Sequence, residues 1–233
     1  VKTLLIIPAY NEELSIGGVI DDIRAHLPEA DILVIDDGSA DATGKTAKSL
    51  GVTVITLPFN LGIGAAMQTG YHYADMNGYD IAVQFDGDGQ HRANQLRDLL
   101  KPVENGEADI SVGSRFLNKG SYEAEVARLI GIRILSRSIS LLVGQKITDP
   151  SSGFRAVNRK VIRFFSHFYP DDYPEPESLV LLHKTGLRIA EVPVLMEKRL
   201  IGTSSITLMR GFYYMIKVLL AIMIDMIKEV PRR

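Results

Sequence analysis

No cysteine occurs among the 233 residues, which excludes disulfides and thiolate metal sites and is compatible with a reducing cytosol. Charge of one sign is also missing in bulk. Charged residues make up 23% of the chain and the formal net charge is −2, so nothing marks a nucleic-acid binder. The apolar run Leu4–Ile7 is too short for a signal peptide and stops at Pro8. No segment reaches the roughly 20 uninterrupted apolar residues of a spanning helix. The nearest, Gly211 to Ile227, contains Lys217 and Asp225. Internal repeats and low-complexity tracts are absent as well.

What is present is alternation. Continuous apolar or β-branched runs at Leu4–Ile7, Ile32–Ile35, Val52–Leu57, Ile81–Phe85 and Ile110–Val112 suit strands buried on both faces of a parallel sheet. Helical patterns lie between them, at Glu13–Leu27, Ala42–Leu50, Ile63–Met76 and Asn94–Glu104. This order predicts an α/β fold, a Rossmann-like, mostly parallel sheet flanked by helices. Beyond Phe116 the pattern predicts a helix over Glu123–Val143 carrying Arg128, Arg133 and Arg137, and a turn-rich loop at Asp149–Gly153. A short helix near Arg159–Phe168, an acidic, proline-rich loop at 171–177, a helix at Ser178–Thr185 and a strand at Ile189–Pro193 follow. Residues 1–205 are expected to form one domain and 206–233 an apolar C-terminal helix.

Asp86-Gly87-Asp88 directly follows the fourth apolar run. Two carboxylates at the end of a buried strand repel each other and are costly without a cation beside them. A hard divalent ion with oxygen ligands, Mg²⁺ or Mn²⁺, suits them and typically brings a diphosphate. The same Asp-Gly pair is also a common surface turn. Strand 1 runs into Pro8-Ala9-Tyr10-Asn11-Glu12, and strand 2 into Asp36-Asp37-Gly38-Ser39. Both put polar groups where open α/β sheets bind nucleotides. Tyr10 suits stacking on a base, and Glu12 and Asp37 suit accepting hydrogen bonds from base or ribose. Asn11 and Ser39 equally suit helix N-caps. Asn60-Leu61-Gly62-Ile63-Gly64 lacks dinucleotide-binding spacing and reads as a tight turn opening a helix. Arg115, Arg155 and Arg199 sit in loop-like segments and suit phosphate oxygens through bidentate contacts.

Taken in order, IPAYNEE, VIDDGSADAT, NLGIGAA, FDGDGQH, VGSR, TDPSSGFRA and EVPV…RLIGTSS resemble the family 2 glycosyltransferases with a GT-A fold. Within that family the likeness is closest to polyprenyl- or dolichyl-phosphate sugar synthases. The resemblance implies inverting, metal-dependent transfer from a nucleotide diphosphate sugar (UDP, GDP or dTDP) to a polyprenyl phosphate. It assigns Pro8, Tyr10, Glu12 and Asp37 to the nucleotide, and Asp86, Asp88 and Gln90 to the metal and diphosphate. Arg115 and Arg199 match positions facing the diphosphate. Arg128 matches the acceptor-phosphate arginine, with Arg133 a second cation. The partner serine position falls nearer Ile132, and Ser136 is the nearest hydroxyl.

A lipid phosphate is already ionised near neutral pH and needs no general base. A sugar hydroxyl acceptor needs a carboxylate, for which Glu177 comes first and Glu175 second. A haloacid-dehalogenase-type phosphatase expects Thr or Val where Gln90 stands. A nucleotidyltransferase shares the sheet and the metal. A non-catalytic nucleotide-sugar-binding subunit of a membrane complex is the alternative from another class. The tail, apolar around most of 206–227, suits a membrane interface or a small membrane-protein partner. It equally suits a helix packed on the core or in a homo-oligomer. The basic helix over Glu123–Val143 favours peripheral attachment to the cytoplasmic face of the membrane.

Overall fold

The computed structural model describes residues 1–118, 126–172, 174–197, 217–224 and 226, with the side chains of 126–128 excepted. Its centre is a seven-stranded sheet in the order β3-β2-β1-β4-β6-β5-β7. The strands are β1 (Thr3–Ala9), β2 (Asp31–Asp36), β3 (Thr53–Thr56), β4 (Ile81–Gln84), β5 (Ile110–Ser114), β6 (Arg155–Asn158) and β7 (Ile189–Pro193). Only β6 runs antiparallel to its neighbours, pairing Gln84 with Arg155 and Val112 with Arg155. β1, β2 and β4 carry side chains that are almost all buried, because helices cover both faces of the sheet.

The helices are α1 (Ile16–His26), α2 (Thr43–Ser49), α3 (Ile63–Met76), α4 (Leu96–Glu104), α5 (Val126–Val143), α6 (Arg159–His167) and α7 (Pro174–Lys184). One core lies between the sheet and α3, α5, α6 and α7, with Leu4, Ile6, Met67, Leu135, Phe165 and Leu179 among its members. The other lies under α1 and α4, where Leu5, Ile7, Ile20, Leu99 and Phe154 meet. Residues 217–224 belong to the first core, since Val218 and Ile222 are buried in it. Their Lys217 Nζ lies 3.5 Å from Asp172, and Lys184 donates to the Met226 carbonyl. No helix among the described residues is long and apolar enough to cross a membrane.

Two expectations change. β6 reads as loop in the sequence because it is only four residues long and starts on a charge. The stretch 174–177, expected as a stiffened loop, forms the first turn of α7. Proline is compatible with a helix's first turn, where its missing N–H costs nothing, and Glu175 and Glu177 favour the positive end of the helix dipole.

The strand order reverses between β1 and β4, and the crevice beyond their C-terminal ends is where such sheets bind ligands. Because β6 is antiparallel, its leading residues Gly153 and Phe154 arrive at this same edge. Two close approaches shape it. A Cβ at Gly64 would stand 2.2 Å from the Asp171 carbonyl oxygen, so α3 abuts the segment before α7. Gly38 has φ +67°, and a Cβ there would lie 2.5 Å from the Phe59 carbonyl carbon. Gly38→Ala is therefore expected to lose about 2–4 kcal/mol through left-handed backbone strain and overpacking. The check is a lower urea midpoint at unchanged m-value, and an unchanged midpoint would show that this turn is not packed as described.

Candidate active site

Each C-terminal strand end delivers one part of the crevice. Beyond β1, Tyr10 is half exposed and Asn11 takes a left-handed conformation with φ 55°. The strain is held by two hydrogen bonds to the next loop: the Asn11 amide donates to Ser39 Oγ at 3.0 Å, and the Ala40 amide donates to Asn11 Oδ1 at 2.9 Å. Glu12 N donates to Thr43 Oγ1 at 2.8 Å. The Ser15 hydroxyl lies 2.8 Å from the Glu12 carboxylate and 2.7 Å from the Gly87 carbonyl. The first loop is thereby tied to the Asp86–Asp88 loop. Pro8 is the last strand residue but one, paired with Ile35.

Asp37, beyond β2, is buried, and its two oxygens accept the amides of Leu61 at 2.8 Å and Gly62 at 2.9 Å. Its carboxylate thus fixes the turn that opens α3, with Gly62 as N-cap at φ 91°. That is the turn expected from Asn60–Gly64. Asp36 Oδ1 accepts the Ser39 amide.

Beyond β4, Asp88 Oδ1 accepts the Gln90 amide at 3.0 Å. The Gln90 side-chain amide donates to the Glu197 carbonyl at 3.1 Å, and the Glu197 amide donates to the Gln90 carbonyl. Asp86 is about one third exposed and lies 3.1 Å from His91 Nε2. Burial acts to raise its pKa, yet the His91 contact, the Gln84 amide and the Arg115 charge outweigh burial and hold the carboxyl below its usual range. It is a carboxylate at neutral pH.

A divalent cation fits this set. The donors are carboxylate and amide oxygens, the hard ligands that Mg²⁺ and Mn²⁺ take. Gly153 packs closely against this carboxylate: a Cβ there would lie 2.8 Å from Gln84 Nε2 and 3.2 Å from both Asp86 oxygens, so the 149–153 loop reaches Asp86 only because no side chain intervenes. Among the described residues no three metal-ligating side chains of the His, Cys, Asp or Glu type converge. The protein alone therefore offers too few ligands for a closed cage, as expected of an ion that shares its coordination with substrate phosphates and water.

The arginines differ from expectation. Arg115 is buried and makes a bidentate pair with the buried Asp149, at 2.6 Å from Nε and 2.7 Å from Nη2, with Ser151 Oγ also in reach. Arg155 is fully buried and donates to the Ser152 and Pro150 carbonyls and to Ser178 Oγ. Both bind the 149–153 loop to the sheet, so neither is a loop cation awaiting a ligand, although Arg115 is close enough to stabilise the charge on Asp86. Arg199 lies outside the described residues. The segment leading to it is anchored beside Gln90, through Glu197 and the Gln95 contacts to Leu195.

Glu175 and Glu177 separate. Residues two apart on a helix face different ways. Glu175 is half-buried, and its Oε1 lies 3.5 Å from the Gln84 amide. Burial raises its pKa, the Arg155 charge opposes this, and the nearby Asp86 charge reinforces it. Glu177 is buried at another position on α7. The candidate acceptor residues lie on α5. Arg133 and Ser136 line an open groove of about 820 Å³ on the flank of α5, with Arg137 and Lys146. The Ser136 hydroxyl donates to the Ile147 carbonyl. The Arg128 side chain lies outside the described set. His91, which no reading of the residues singled out, is the neighbour that Asp86 touches; its signal was the H closing FDGDGQH.

Known proteins carry the same features. The profile of "Glycosyl transferase family 2" matches residues 4–165. The chain is 34% identical over 210 residues to the UDP-N-acetylglucosamine–dolichyl-phosphate N-acetylglucosaminyltransferase of Methanococcus voltae, covering 82% of this chain and 83% of that protein. It is 31% identical over 216 residues to the polyprenol monophosphomannose synthase of Mycolicibacterium smegmatis, covering 88% and 81%. Among solved structures, glucosyl-3-phosphoglycerate synthase from Mycobacterium tuberculosis, in complex with Mn²⁺, UDP and glucosyl-3-phosphoglycerate, superposes with a TM-score of 0.73. That alignment has 20% identity and covers 96% of this chain and 79% of the other, a likeness of fold. With its GT-A sheet and its acidic crevice at the β1/β4 switch, the chain belongs to glycosyl transferase family 2 and is a glycosyltransferase.

Proposed function

We propose that this glycosyltransferase moves a sugar from a nucleotide diphosphate donor to a polyprenyl phosphate, with inversion, while attached to the cytoplasmic face of a membrane. The observation that carries the reading is the acidic loop Asp86–Gln90 at the strand switch, with Asp86 held as a carboxylate. The relatives' names supply the chemical class of donor and acceptor, a UDP-sugar and dolichyl or polyprenol phosphate. Asp86, Asp88 and Gln90 hold Mg²⁺ or Mn²⁺ and the diphosphate. The ion, when bound, neutralises charge developing on the leaving group. Pro8, Tyr10, Glu12 and Asp37 wall the nucleotide. Arg115 supports the site by fixing the 149–153 loop, and Arg199 supplies positive charge to the diphosphate.

The acceptor phosphate has a second pKa of about 6 and attacks without a base once it is positioned. Arg128 and Arg133 on α5 are its cations. The outer stripe of α5 mixes Arg133 and Arg137 with exposed Ile130, Ile134 and Leu141, and residues 217–226 expose Leu220, Met223 and Ile224. Such a surface suits an anionic bilayer.

A second reading, transfer to a sugar hydroxyl, is favoured by one observation: Glu175 stands beside the crevice floor with a raised pKa, as a general base does. The contact of Glu175 with Gln84 beside the crevice supports Glu175 ahead of Glu177 in that role.

Purified protein with a panel of UDP-, GDP- and dTDP-sugars, undecaprenyl phosphate and Mg²⁺ is expected to yield a lipid-linked monosaccharide by mass spectrometry. Chelation abolishes the product and Mn²⁺ restores it. Asp88→Ala is expected to lower kcat about 10²–10³-fold, the loss typical of one transition-state electrostatic contact. An active Asp88→Ala enzyme would remove the metal reading. Glu175→Gln and Glu177→Gln are expected to keep lipid-phosphate transfer within an order of magnitude. A fall of about 10²–10⁴-fold in either would mark a general base and favour a hydroxyl acceptor.

A further inference from the structure

His91 has no part in the reaction described, yet its ring is held more tightly than any group it touches in the crevice. The side chain is 3% exposed. It stacks on Phe154 with centroids 4.9 Å apart and 21° between planes, and meets the edge of Phe85 at 5.8 Å. Phe85 and Phe154 are themselves packed edge to face at 5.5 Å. The backbone at 91 is pinned as well, by its bridge to Met196. A ring so confined cannot swing, and its Nε2 stands 3.1 Å from Asp86 Oδ2.

An ionised carboxylate only accepts, so Nε2 carries the proton and donates. Nδ1 is buried without a hydrogen-bond partner among the described residues. An N–H there would be an orphaned donor, which folded proteins avoid more strictly than an orphaned acceptor. A phenyl ring of the same shape would fill this aromatic slot without burying an unsatisfied nitrogen. The imidazole therefore earns its place through the single bond to Asp86.

We propose that His91 is a positioning residue for the divalent cation. It ties down Oδ2 of Asp86 and so fixes the orientation in which the carboxylate meets the ion. Metal-ligating carboxylates are commonly held this way by a second hydrogen bond, whose loss weakens binding. The proposal rests on the reading of Asp86 as a metal ligand.

The test is Mn²⁺ titration followed by electron paramagnetic resonance of the free ion, with saturating UDP or GDP, on wild type and three variants. His91→Phe keeps the ring stack and removes the donor. His91→Gln places an amide near the Nε2 position, and His91→Asn places it near Nδ1, out of reach. Thermal midpoints are measured alongside. The expected pattern is Mn²⁺ affinity about 10–100-fold weaker in His91→Phe and His91→Asn, with recovery to within about fivefold of wild type in His91→Gln. Metal-free nucleotide binding should be the same in all four proteins. Equal Mn²⁺ affinity across the set overturns the proposal while leaving the metal site standing. Weakening that follows the thermal midpoints, with Gln no better than Asn, assigns His91 to packing alone and also overturns it. Wild type that takes up no Mn²⁺ with either nucleotide removes the metal reading and the proposal together.

Discussion

Negative charge gathers at one rim of the sheet. Asp36, Asp37, Asp86 and Asp88 leave the ends of two strands, and Glu175 approaches from α7. Two unit charges 4 Å apart interact by about 1 kcal/mol in water and about 4 kcal/mol at the dielectric typical of a protein surface. The donors seen on them are chiefly backbone amides, on Asp36, Asp37 and Asp88, with the His91 ring on Asp86. Neutral donors fix direction and stabilise the ionised form without cancelling the field. The buried arginines are drawn off to Asp149 and to carbonyls. What these donors leave at the crevice is oriented charge, the kind of site the proposed cation would complete.

The arginines are no less necessary for being inward. Arg155 opens the antiparallel strand β6 and holds the Pro150 and Ser152 carbonyls, while Arg115 holds Asp149. Together they set the loop whose Gly153 lies against Asp86. A buried ion pair contributes little net stability, but removing one partner strands the other and costs about 3–5 kcal/mol. The pair's value here is placement of that loop, and Thr148 and Asp149 amides donating to Glu191 tie it further to β7.

The strands β1, β2, β4 and β5 are legible because burial on both faces demands apolar runs, and the acids Asp36, Asp37, Asp86 and Asp88 close the runs of β2 and β4. β6 is not, since a four-residue strand beginning with arginine makes sense only once its carbonyl partners are known. The same limit applies to side-chain roles. Ser136 is consumed by the Ile147 carbonyl and Arg115 by Asp149, 34 positions on. Pattern marks which residues are polar but not which already have partners. Glu177 ranks ahead of Glu175 while 171–177 reads as loop. Once Pro174 begins a helix, their spacing separates them. His91 stood in view at the end of FDGDGQH, but Phe154, which sandwiches its ring, comes 63 residues later by subtraction of the two positions.

The tail bears on how such a site would meet the proposed lipid-borne acceptor. Val218 and Ile222 share a core with Leu135 and Ile139 of α5 and with Leu179 and Leu182 of α7. Residues 217–224 are thus built into the same packed layer as the helix that carries Glu175. Close-packed layers resist independent movement of their members. The surface that exposes Leu220, Met223 and Ile224, and the α5 stripe with Ile134 and Leu141, therefore keep fixed positions relative to the crevice. A membrane contact through these faces would set the height of the acid rim above the bilayer, which is what a soluble donor and a membrane-anchored acceptor phosphate require to meet at one metal.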